Sequence, residues 1–251
     1  MARRALIAGN WKMYKTPAEA VEYARAFLPL VAGVSDRDIM IAPPYPALDA
    51  VAAALRGSGV GLGAQDLFWE DEGAFTGQVS PRMLCAVGCR YAIIGHSERR
   101  QFFGETDETV NRKVRAAVAA GLIPVMCVGE SERERDAGQT FSILDKQVKG
   151  GLKNFVAEQV SSLVVAYEPV WAIGTGKTAT SAQAQEAHRF IRSLIETLLG
   201  SQTAAGIRIL YGGSVKPENI TELMAMPDID GGLVGGASLK PESFAKIVRF
   251  K

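Results

Sequence analysis

The sequence predicts an α/β protein in which eight strands and their following helices form a closed (β/α)8 barrel, a single domain over residues 1–251. Three observations predict this class. Short apolar runs, partly β-branched, alternate along the chain with apolar residues at helical spacing, which is typical of parallel sheets with helical crossovers. There are eight such units, and no composition break or linker divides them. A chain of about 250 residues has the usual size of an eight-unit barrel.

Each strand is predicted from one short apolar run. The runs are 5–8, 39–42, 60–64, 91–94, 122–128, 163–167, 207–211 and 230–234. Runs without polar alternation are typical of strands that are buried on both faces. Pro124 has no N–H for a sheet hydrogen bond, so we expect a local irregularity in the fifth strand. An open, doubly wound sheet is the alternative architecture, but it usually has fewer strands.

The helices are predicted from their start signals and apolar faces. Thr16-Pro17-Ala18-Glu19 has the spacing of a capping box with proline at the first helical position, so a helix begins there. An alanine-rich helix runs to about Leu55, an amphipathic helix begins at Thr180, and Pro241 opens the last helix. Single apolar faces are formed by Val21, Ala24, Leu28 and Val31; by Val110, Val114, Ala117 and Val118; and by Ala187, Ile191, Leu194 and Leu198.

Composition argues against several classes of protein. The net charge of +1 gives no strong field for nucleic acid or an acidic membrane surface. No apolar run approaches the roughly 20 residues of a membrane span, and the run after the basic residues Arg3 and Arg4 is too short for a signal peptide. We therefore expect a cytoplasmic protein. The three cysteines, Cys85, Cys89 and Cys127, lack the spacing of a zinc site, and we expect buried, inert thiols.

Two stretches of the sequence resemble known catalytic motifs, but neither has all the residues that its motif requires. Gly174-Thr175-Gly176-Lys177-Thr178 resembles the end of a nucleotide-binding P-loop, but Trp171 stands where the motif needs its first glycine. Gly95-His96-Ser97-Glu98-Arg99 resembles the nucleophile elbow of hydrolases, but Arg99 stands where that turn needs glycine. Neither nucleotide hydrolysis nor a serine nucleophile is therefore predicted.

Polar residues and glycines follow five of the predicted strands. The residues that follow strands of a barrel converge on one face, where barrel enzymes have their active sites. By strand they are Asn10 and Lys12 after the first, His96 and Glu98 after the fourth, Glu168 after the sixth, Gly212-Gly213-Ser214 after the seventh, and Gly235-Gly236 after the eighth. They place a cation, an imidazole, carboxylates and two glycine-rich turns at one mouth.

These residue types suggest chemistry on a phosphorylated substrate. Glycine-rich turns after the last two strands let backbone N–H groups approach an anion, although glycine is also common in ordinary turns. Glu168 ends a buried strand ahead of a long loop that could close over it, which suits a base but also a surface glutamate. Lys12 suits an electrostatic stabiliser or a Schiff base. His96 is functional or structural, and His188 is interpreted as a surface or packing residue.

The longest motifs carry a family resemblance. They are Gly9-Asn10-Trp11-Lys12, Gly73-Ala74-Phe75-Thr76-Gly77, Ile94-Gly95-His96-Ser97-Glu98-Arg99-Arg100, Ala166-Tyr167-Glu168-Pro169-Val170-Trp171-Ala172-Ile173-Gly174-Thr175-Gly176, Tyr211-Gly212-Gly213-Ser214-Val215 and Leu233-Val234-Gly235-Gly236-Ala237-Ser238-Leu239. With these motifs in this order, the chain resembles the triosephosphate isomerases over nearly its whole length. The resemblance implies the TIM barrel fold and the interconversion of dihydroxyacetone phosphate and D-glyceraldehyde 3-phosphate in glycolysis and gluconeogenesis, without metal or organic cofactor.

The resemblance also implies roles for the strand-end residues. Glu168 would be the base that moves a proton between adjacent carbons, and neutral His96 would polarise the carbonyl. Lys12 would stabilise the enediolate and the phosphate, and Asn10 would orient a substrate oxygen. Glu98 would hold Lys12 in place or share in proton transfer.

The phosphate and the lid follow from the same resemblance. Gly174, Ser214, Gly235 and Gly236 would donate hydrogen bonds to the phosphate. The lid, residues 170–178, would close over the enediolate and exclude water, because an exposed intermediate can eliminate its phosphate and give methylglyoxal.

A homodimer is the remaining implication. The connection from Asp66 to Ser80 has a length that is typical of functional or of disordered loops. In the family, the segment matching Gly73–Gly77 inserts into the partner subunit, where the residue matching Thr76 reaches the other active site. Gln78 departs from the glutamate that many members carry, which puts an ion pair with Arg99 in doubt.

Two other functions remain as alternatives. A phosphate-sugar lyase would use Lys12 as a Schiff base. A non-catalytic barrel would bind phosphate or act as a scaffold, and it could have lost Glu168, His96 or Lys12; the sequence retains all three.

Overall fold

The fold is a closed parallel barrel, as the sequence predicts. A computed structural model describes residues 3–173 and 178–251. The strands are β1 (Leu6–Asn10), β2 (Asp38–Ala42), β3 (Gly61–Ala64), β4 (Tyr91–Ile94), β5 (Ile123–Val128), β6 (Val164–Tyr167), β7 (Arg208–Tyr211) and β8 (Gly231–Val234). They pair in chain order, all parallel, and β8 closes the barrel on β1 with Leu6 opposite Gly231.

Helices surround the barrel and connect its strands. Within the described residues they are α1 (Pro17–Val31), α2 (Leu48–Ala54), α3 (Pro81–Ala86), α4 (Ser97–Phe102), α5 (Asp107–Ala119), α6 (Glu132–Asp136), α7 (Thr140–Gly151), α8 (Ser181–Leu199), α9 (Ser201–Gly206), α10 (Ile220–Met224) and α11 (Pro241–Val248). Short 3₁₀ turns are formed by Tyr45–Ala47, Ala157–Val160, Val170–Ala172 and Gly236–Leu239.

Local sequence explains where the longest helices begin. Thr16 caps α1, and the Glu19 carboxylate accepts a hydrogen bond from the Thr16 N–H at 2.7 Å, so the predicted capping box is confirmed. Thr180 and Gln183 form the same arrangement at the start of α8. Both helices therefore start where their side chains satisfy N–H groups that have no partner in the helix.

The core has two layers, which follow from the alternation of strand side chains. Residues at one parity fill the barrel interior, among them Leu6, Ala8, Val164 and Ala166. Residues at the other parity, such as Ile7, pack under the helices in the larger outer cluster. Asn10 has the parity of Leu6 and Ala8, so β1 directs its side chain into the carboxyl-terminal mouth of the barrel.

Two expectations about strands are wrong. Asn10 is the last residue of β1 and does not follow it. Pro124 causes no irregularity: β5 is continuous, and Pro124 pairs in register with Ala92. The preceding residue, Ile123, donates its N–H to the carbonyl oxygen of Arg90, which precedes β4. Successive N–H groups of a strand point to opposite sides, so the position of the missing N–H of Pro124 faces β6. The pairing of β5 with β6 begins only at Val125, so no hydrogen bond is lost there.

The expectations about the cysteines and about His188 are confirmed in part. Cys89 and Cys127 are buried, but Cys85 is exposed, because it lies on the outer side of the short helix α3. His188 is fully buried on α8, so its packing interpretation is confirmed and its surface interpretation is wrong. Among the described residues, none of the helices combines the length and apolar character needed to cross a membrane.

Candidate active site

A cavity of about 300 Å³ opens at the carboxyl-terminal mouth of the barrel. Its described lining comes from β1, from the turns after β4, β7 and β8, and from the lid. The predicted site residues in this lining are Asn10, Lys12, His96, Ser214, Gly235 and Gly236. The structure thus brings together residues that are up to 226 positions apart, from Asn10 to Gly236. Gly174 lies outside the described residues.

Lys12 is held in an unusual backbone conformation. Its φ of 51° lies in the left-handed region, which costs an ordinary residue about 1–2 kcal/mol. The Asn10 side chain accepts the Lys12 N–H at 3.0 Å, and the Gln65 amide donates to the Lys12 carbonyl at 2.8 Å. Gln65 also donates to Ala42 at 2.9 Å. These hydrogen bonds on both sides of the peptide offset the strain and fix the direction of the lysine.

The Lys12 ammonium lies between two parts of the mouth. Its Nζ is 2.5 Å from Glu98 Oε1, in the first turn of α4. On the other side, a Cβ added at Gly235 would lie 3.9 Å from the same Nζ. Lys12 therefore connects β1 to the turn after β8, and the Glu98 carboxylate offsets much of its charge.

His96 is positioned by the turn that follows β4. Gly95 has φ 73°, which lets the chain leave the strand sharply, and its N–H donates to the buried Glu105 carboxylate at 3.1 Å. His96 is then the N-cap of α4, and its Nδ1 accepts the N–H of Glu98 at 3.2 Å. A ring nitrogen that accepts a hydrogen bond carries no proton. The proton of the neutral ring is therefore on Nε2.

The environment of His96 acts on its pKa in opposite directions. Burial lowers the pKa, while the Glu168 carboxylate, whose Oε1 is 2.9 Å from Nε2, and the Glu98 carboxylate together raise it by more. The pKa of His96 is therefore raised above its ordinary value in this arrangement. The hydrogen bond at Nδ1 opposes protonation, because an imidazolium has no lone pair there. Departure of the Glu168 carboxylate would remove the largest influence that favours the charged ring.

Glu168 is buried, and its carboxylate rests against the start of α4. Oε2 accepts the Ser97 N–H at 3.0 Å, and Oε1 accepts the Ser97 hydroxyl at 3.1 Å. Burial raises the pKa of Glu168, but His96 and the hydrogen bonds from Ser97 lower it by more, so the pKa is below the usual value. The carboxylate is thus ionised at neutral pH.

Glu168 and Glu98 do not line the cavity that Asn10 and Lys12 line. Both line a neighbouring cavity of about 1040 Å³, formed by the turns after β4, β5 and β6. His96 lies between the two cavities, because it lines the first and its Nε2 contacts Glu168, which lines the second. A base acting in the first cavity has to leave Ser97 and rotate past His96.

The start of the lid is attached to a buried carboxylate. Glu130, fully buried after β5, accepts hydrogen bonds at Oε1 from Trp171 Nε1 at 2.9 Å and from the Tyr167 hydroxyl at 3.1 Å. Tyr167 and Trp171 flank Glu168 and Pro169 in sequence. The first turn of the lid, Val170–Ala172, is therefore fixed to the same frame as Glu168; residues 174–177 lie outside the described part.

A charged network lies behind His96. Arg99 contacts Asp66 at 2.9 Å and Glu105 at 2.7 Å, and the buried Lys113 contacts both carboxylates. Burial raises the pKa of Asp66 to about 6 against the opposing effect of Lys113, and Lys113 with Arg99 lowers the pKa of Glu105 against its burial. Arg99 is thus paired within its own chain, whatever charge position 78 carries.

Comparisons with known proteins agree with this geometry. The family model described as triosephosphate isomerase matches residues 5–251. The chain belongs to the triosephosphate isomerase family. Triosephosphate isomerases of Trichlorobacter lovleyi and Citrifermentans bemidjiense are 59% and 57% identical over 249 and 248 residues, each alignment covering 99% of both chains. The protein of that name from Moorella thermoacetica is 58% identical over 248 residues, again with 99% of both chains covered.

Sequence reasoning missed four residues of this triosephosphate isomerase-family site. Gln65 and Glu130 follow β3 and β5, so the same strand-end rule that selected His96 could have selected them. Ser97 drew attention only as a nucleophile, although its N–H and hydroxyl hold Glu168. Nothing in the local sequence of Trp171 indicates that its indole reaches Glu130.

Proposed function

We propose that this protein interconverts dihydroxyacetone phosphate and D-glyceraldehyde 3-phosphate through an enediolate. One observation carries the proposal. Lys12, Glu98, His96 and Glu168 form a continuous series of contacts beside a cavity that two glycine-rich turns line, in a chain of this family. A proton next to a carbonyl is weakly acidic, so its removal needs a base and a stabilised oxyanion at once.

In this proposal Glu168 is the base. The lowered pKa keeps its carboxylate ionised, and Ser97 holds it until substrate arrives. Rotation into the cavity exchanges those hydrogen bonds for contact with the substrate C–H. In the cavity, the loss of the Ser97 hydrogen bonds and burial beside the substrate raise the basicity of Glu168, which suits proton abstraction near neutral pH.

His96, Lys12 and Asn10 stabilise the intermediate. The Nε2–H of His96 contacts Glu168 in the resting state, so it becomes free to donate to a substrate oxygen when Glu168 rotates away. The Lys12 ammonium lies between Glu98 and the turn after β8, within reach of both the enediolate and the phosphate. Asn10 fixes Lys12 and orients a substrate oxygen, and Glu98 holds the ammonium in place.

The phosphate group lies against the turns after β7 and β8. Ser214, Gly235 and Gly236 line the cavity there, and backbone N–H groups with a hydroxyl are suitable donors to a phosphate. Gly174 completes the set from the lid, which closes over the substrate. No metal or organic cofactor takes part.

The contact between Lys12 and Glu98 favours this isomerase over a Schiff-base lyase. Lysines that form Schiff bases are activated by desolvation or by a neighbouring cation. Lys12 instead lies 2.5 Å from a carboxylate, an arrangement that suits electrostatic stabilisation. The non-catalytic barrel is disfavoured because the three residues that it could have lost are assembled in one place. His96 contacts Glu168, and both His96 and Lys12 contact Glu98.

The proposal includes the cellular setting and the assembly. A triose phosphate isomerase acts in glycolysis and gluconeogenesis in the cytoplasm, and the whole of 1–251 is one domain. We infer a homodimer in which the segment Gly73–Gly77 inserts into the partner and Thr76 reaches its active site. Support comes from the exposed Phe75 and Thr76 and from the hydrogen bond between Phe68 and Val79 that closes the base of this long loop.

A coupled isomerase assay tests the activity. Glu168→Gln keeps the size of the side chain and removes the base, so kcat should fall by about 10³-fold. Glu186→Gln on the exposed part of α8 removes the same charge from a residue that lines neither cavity, and it should leave kcat unchanged. Borohydride trapping with substrate should leave Lys12 unlabelled. Absence of isomerase activity in the purified wild-type protein would refute the proposal, and a label on Lys12 would favour the lyase.

A further inference from the structure

A second lysine lines the cavity and has no role in the mechanism above. Among the described lining residues, the cationic side chains are those of Lys12 and Lys216. Lys12 is paired with Glu98 at 2.5 Å. Lys216 is exposed, and it forms no ion pair with a carboxylate in the described ranges 3–173 and 178–251. Its charge is therefore available to an anion at the mouth.

The backbone of Lys216 is fixed at the rim. Its N–H donates to the Asn219 side chain at 2.8 Å, and the Asn219 amide donates to the Ser214 carbonyl, also at 2.8 Å. The turn from Ser214 to Lys216 is thus closed by one side chain. Because Ser214 and Gly213 line the same cavity, the lysine emerges beside the glycine-rich turn after β7.

The charges near the cavity explain why a second cation matters. Glu98 and Glu168 carry two negative charges close to His96, and Lys12 offsets one of them. Without Lys216, these side chains would give a dianionic substrate a site of net negative charge. The unpaired ammonium of Lys216 brings this sum to zero and places a positive charge at the entrance, where a phosphate arrives first.

We infer that Lys216 is a substrate-capture residue: its ammonium attracts the phosphate group into the cavity and raises the preference for phosphorylated over unphosphorylated trioses. The inference rests on the proposed isomerase function and adds a determinant of substrate preference to it. Lys216 acts on entry and binding, before the proton transfer, so its contribution belongs to KM and not to kcat.

Steady-state kinetics of Lys216→Gln test this role. At about 7 Å in water, one charge and a dianion interact strongly enough for about a fivefold loss of kcat/KM at low ionic strength. The loss should occur in KM and should shrink as salt rises from roughly 10 mM to roughly 300 mM, because the Debye length falls from about 30 Å to well below 10 Å. The ratio of kcat/KM for glyceraldehyde 3-phosphate to that for D-glyceraldehyde should fall about fivefold.

Two matched variants separate capture from net charge and from loop structure. Lys246→Gln on the exposed face of α11 removes the same charge from a residue that does not line the cavity, and it should behave as wild type. Lys216→Arg keeps the charge and should retain kcat/KM. Calorimetric titration with inorganic phosphate should give weaker binding for Lys216→Gln than for Lys246→Gln, and this readout needs no turnover.

The outcomes distinguish the inference from the proposed function. Unchanged kcat/KM and phosphate binding in Lys216→Gln would overturn it. So would a loss that is equal at low and high salt, or a fall in kcat with constant KM, since either would indicate a structural effect on the turn. Absence of isomerase activity in the wild type refutes the proposed function instead, and the phosphate titration then still decides whether Lys216 attracts the anion.

Discussion

The two histidines of this chain are both buried, yet their surroundings shift their pKa values in opposite directions. Burial lowers the pKa of His188 to about 4, against the hydrogen bond between Nδ1 and the Asp228 carbonyl oxygen and the weaker influence of the Asp228 carboxylate. His96 contacts Glu168, and its pKa is raised despite burial. The difference between a structural and a candidate catalytic histidine therefore comes chiefly from the Glu168 carboxylate that contacts the His96 ring.

Replacing the Glu168 carboxylate should change the pKa of His96 and leave that of His188 unaltered. In Glu168→Gln, the pKa of His96 should fall, because the burial that lowers it remains and the charge that raises it is gone. The pKa of His188 should be unchanged, since the other contacts of its ring lie on α8, β6 and β7. An NMR titration of both imidazoles in wild type and variant measures this. A His96 pKa that stays constant or rises in the variant would contradict the assignment.

The same pair predicts how stability depends on pH. The raised pKa of His96 contributes stability that is complete below its ordinary value of 6.5 and is lost as pH rises through the folded-state pKa. The lowered pKa of Glu168 contributes above its ordinary value of 4.5 and is lost as pH falls through the folded-state pKa. The stability difference between wild type and Glu168→Gln should thus be largest between pH 4.5 and 6.5. Denaturant unfolding of wild type and Glu168→Gln at several pH values across and beyond this range measures the stability difference.

At the scale of elements, the approach of the turn after β5 to the end of β6 places Glu168. A Cβ built on Gly129 would lie 1.8 Å from the Glu168 carbonyl oxygen and 2.6 Å from its carbonyl carbon. Gln147 of α7 fixes Gly129 from the other side, accepting its N–H at 2.7 Å and donating to its carbonyl at 3.1 Å. Neither neighbour is the flexible end of a side chain, so the backbone has to move if a methyl group is added.

Gly129→Ala should therefore damage both stability and activity. The expected cost is about 3 kcal/mol of unfolding free energy, at the upper end for overpacking, with a fall in kcat because Glu168 is displaced. Gly206→Ala is the matched control: a Cβ added at Gly206, the last residue of α9, would meet no atom within 4 Å, and alanine favours helix. It should be neutral or stabilise by about 0.5 kcal/mol. Equal stability and kcat in the two variants, measured by urea unfolding and the isomerase assay, would show that the close approach does not matter.

The elements also show what the sequence alone could predict. Apolar runs located all eight strands to within two residues, because a strand buried on both faces needs such a run. The short helices α4 and α6 were not predicted, since helices of six and five residues show too little periodicity. The strand-end rule found Lys12, His96 and Glu168. It could not give the resting place of the Glu168 carboxylate, which depends on Ser97, 71 residues away.

At the scale of the whole molecule, five large apolar side chains are exposed in segments that follow the barrel strands. We group Met13, Tyr14, Phe75, Phe102 and Phe103 as one apolar patch. These residues follow β1, β3 and β4, and the hydrogen bond from Gln65 to the Lys12 carbonyl connects the first two of these loops. Large apolar patches on a protein surface mark interaction sites. The patch includes the loop that we propose to enter the partner subunit, so we interpret it as the dimer interface.

Met13→Asp should weaken the dimer selectively. Met13 is 93% exposed in the single chain, so the substitution leaves the folded chain almost unaffected, whereas a charge buried at an apolar interface is costly. We expect the dimer dissociation constant to rise on the order of 100-fold, about 2.7 kcal/mol. Sedimentation velocity over a range of concentrations measures it. Val156→Asp, at a 55% exposed residue outside the patch, should sediment as wild type.

Activity links this assembly to the site. If Thr76 completes the partner's active site, specific activity of Met13→Asp should fall on dilution as dimer dissociates and should recover at high concentration. Loss of activity at every concentration would instead indicate a direct effect on the neighbouring Lys12. A wild-type protein that sediments as a monomer at micromolar concentration with full specific activity would rule out the need for a partner, and the patch would then require another ligand.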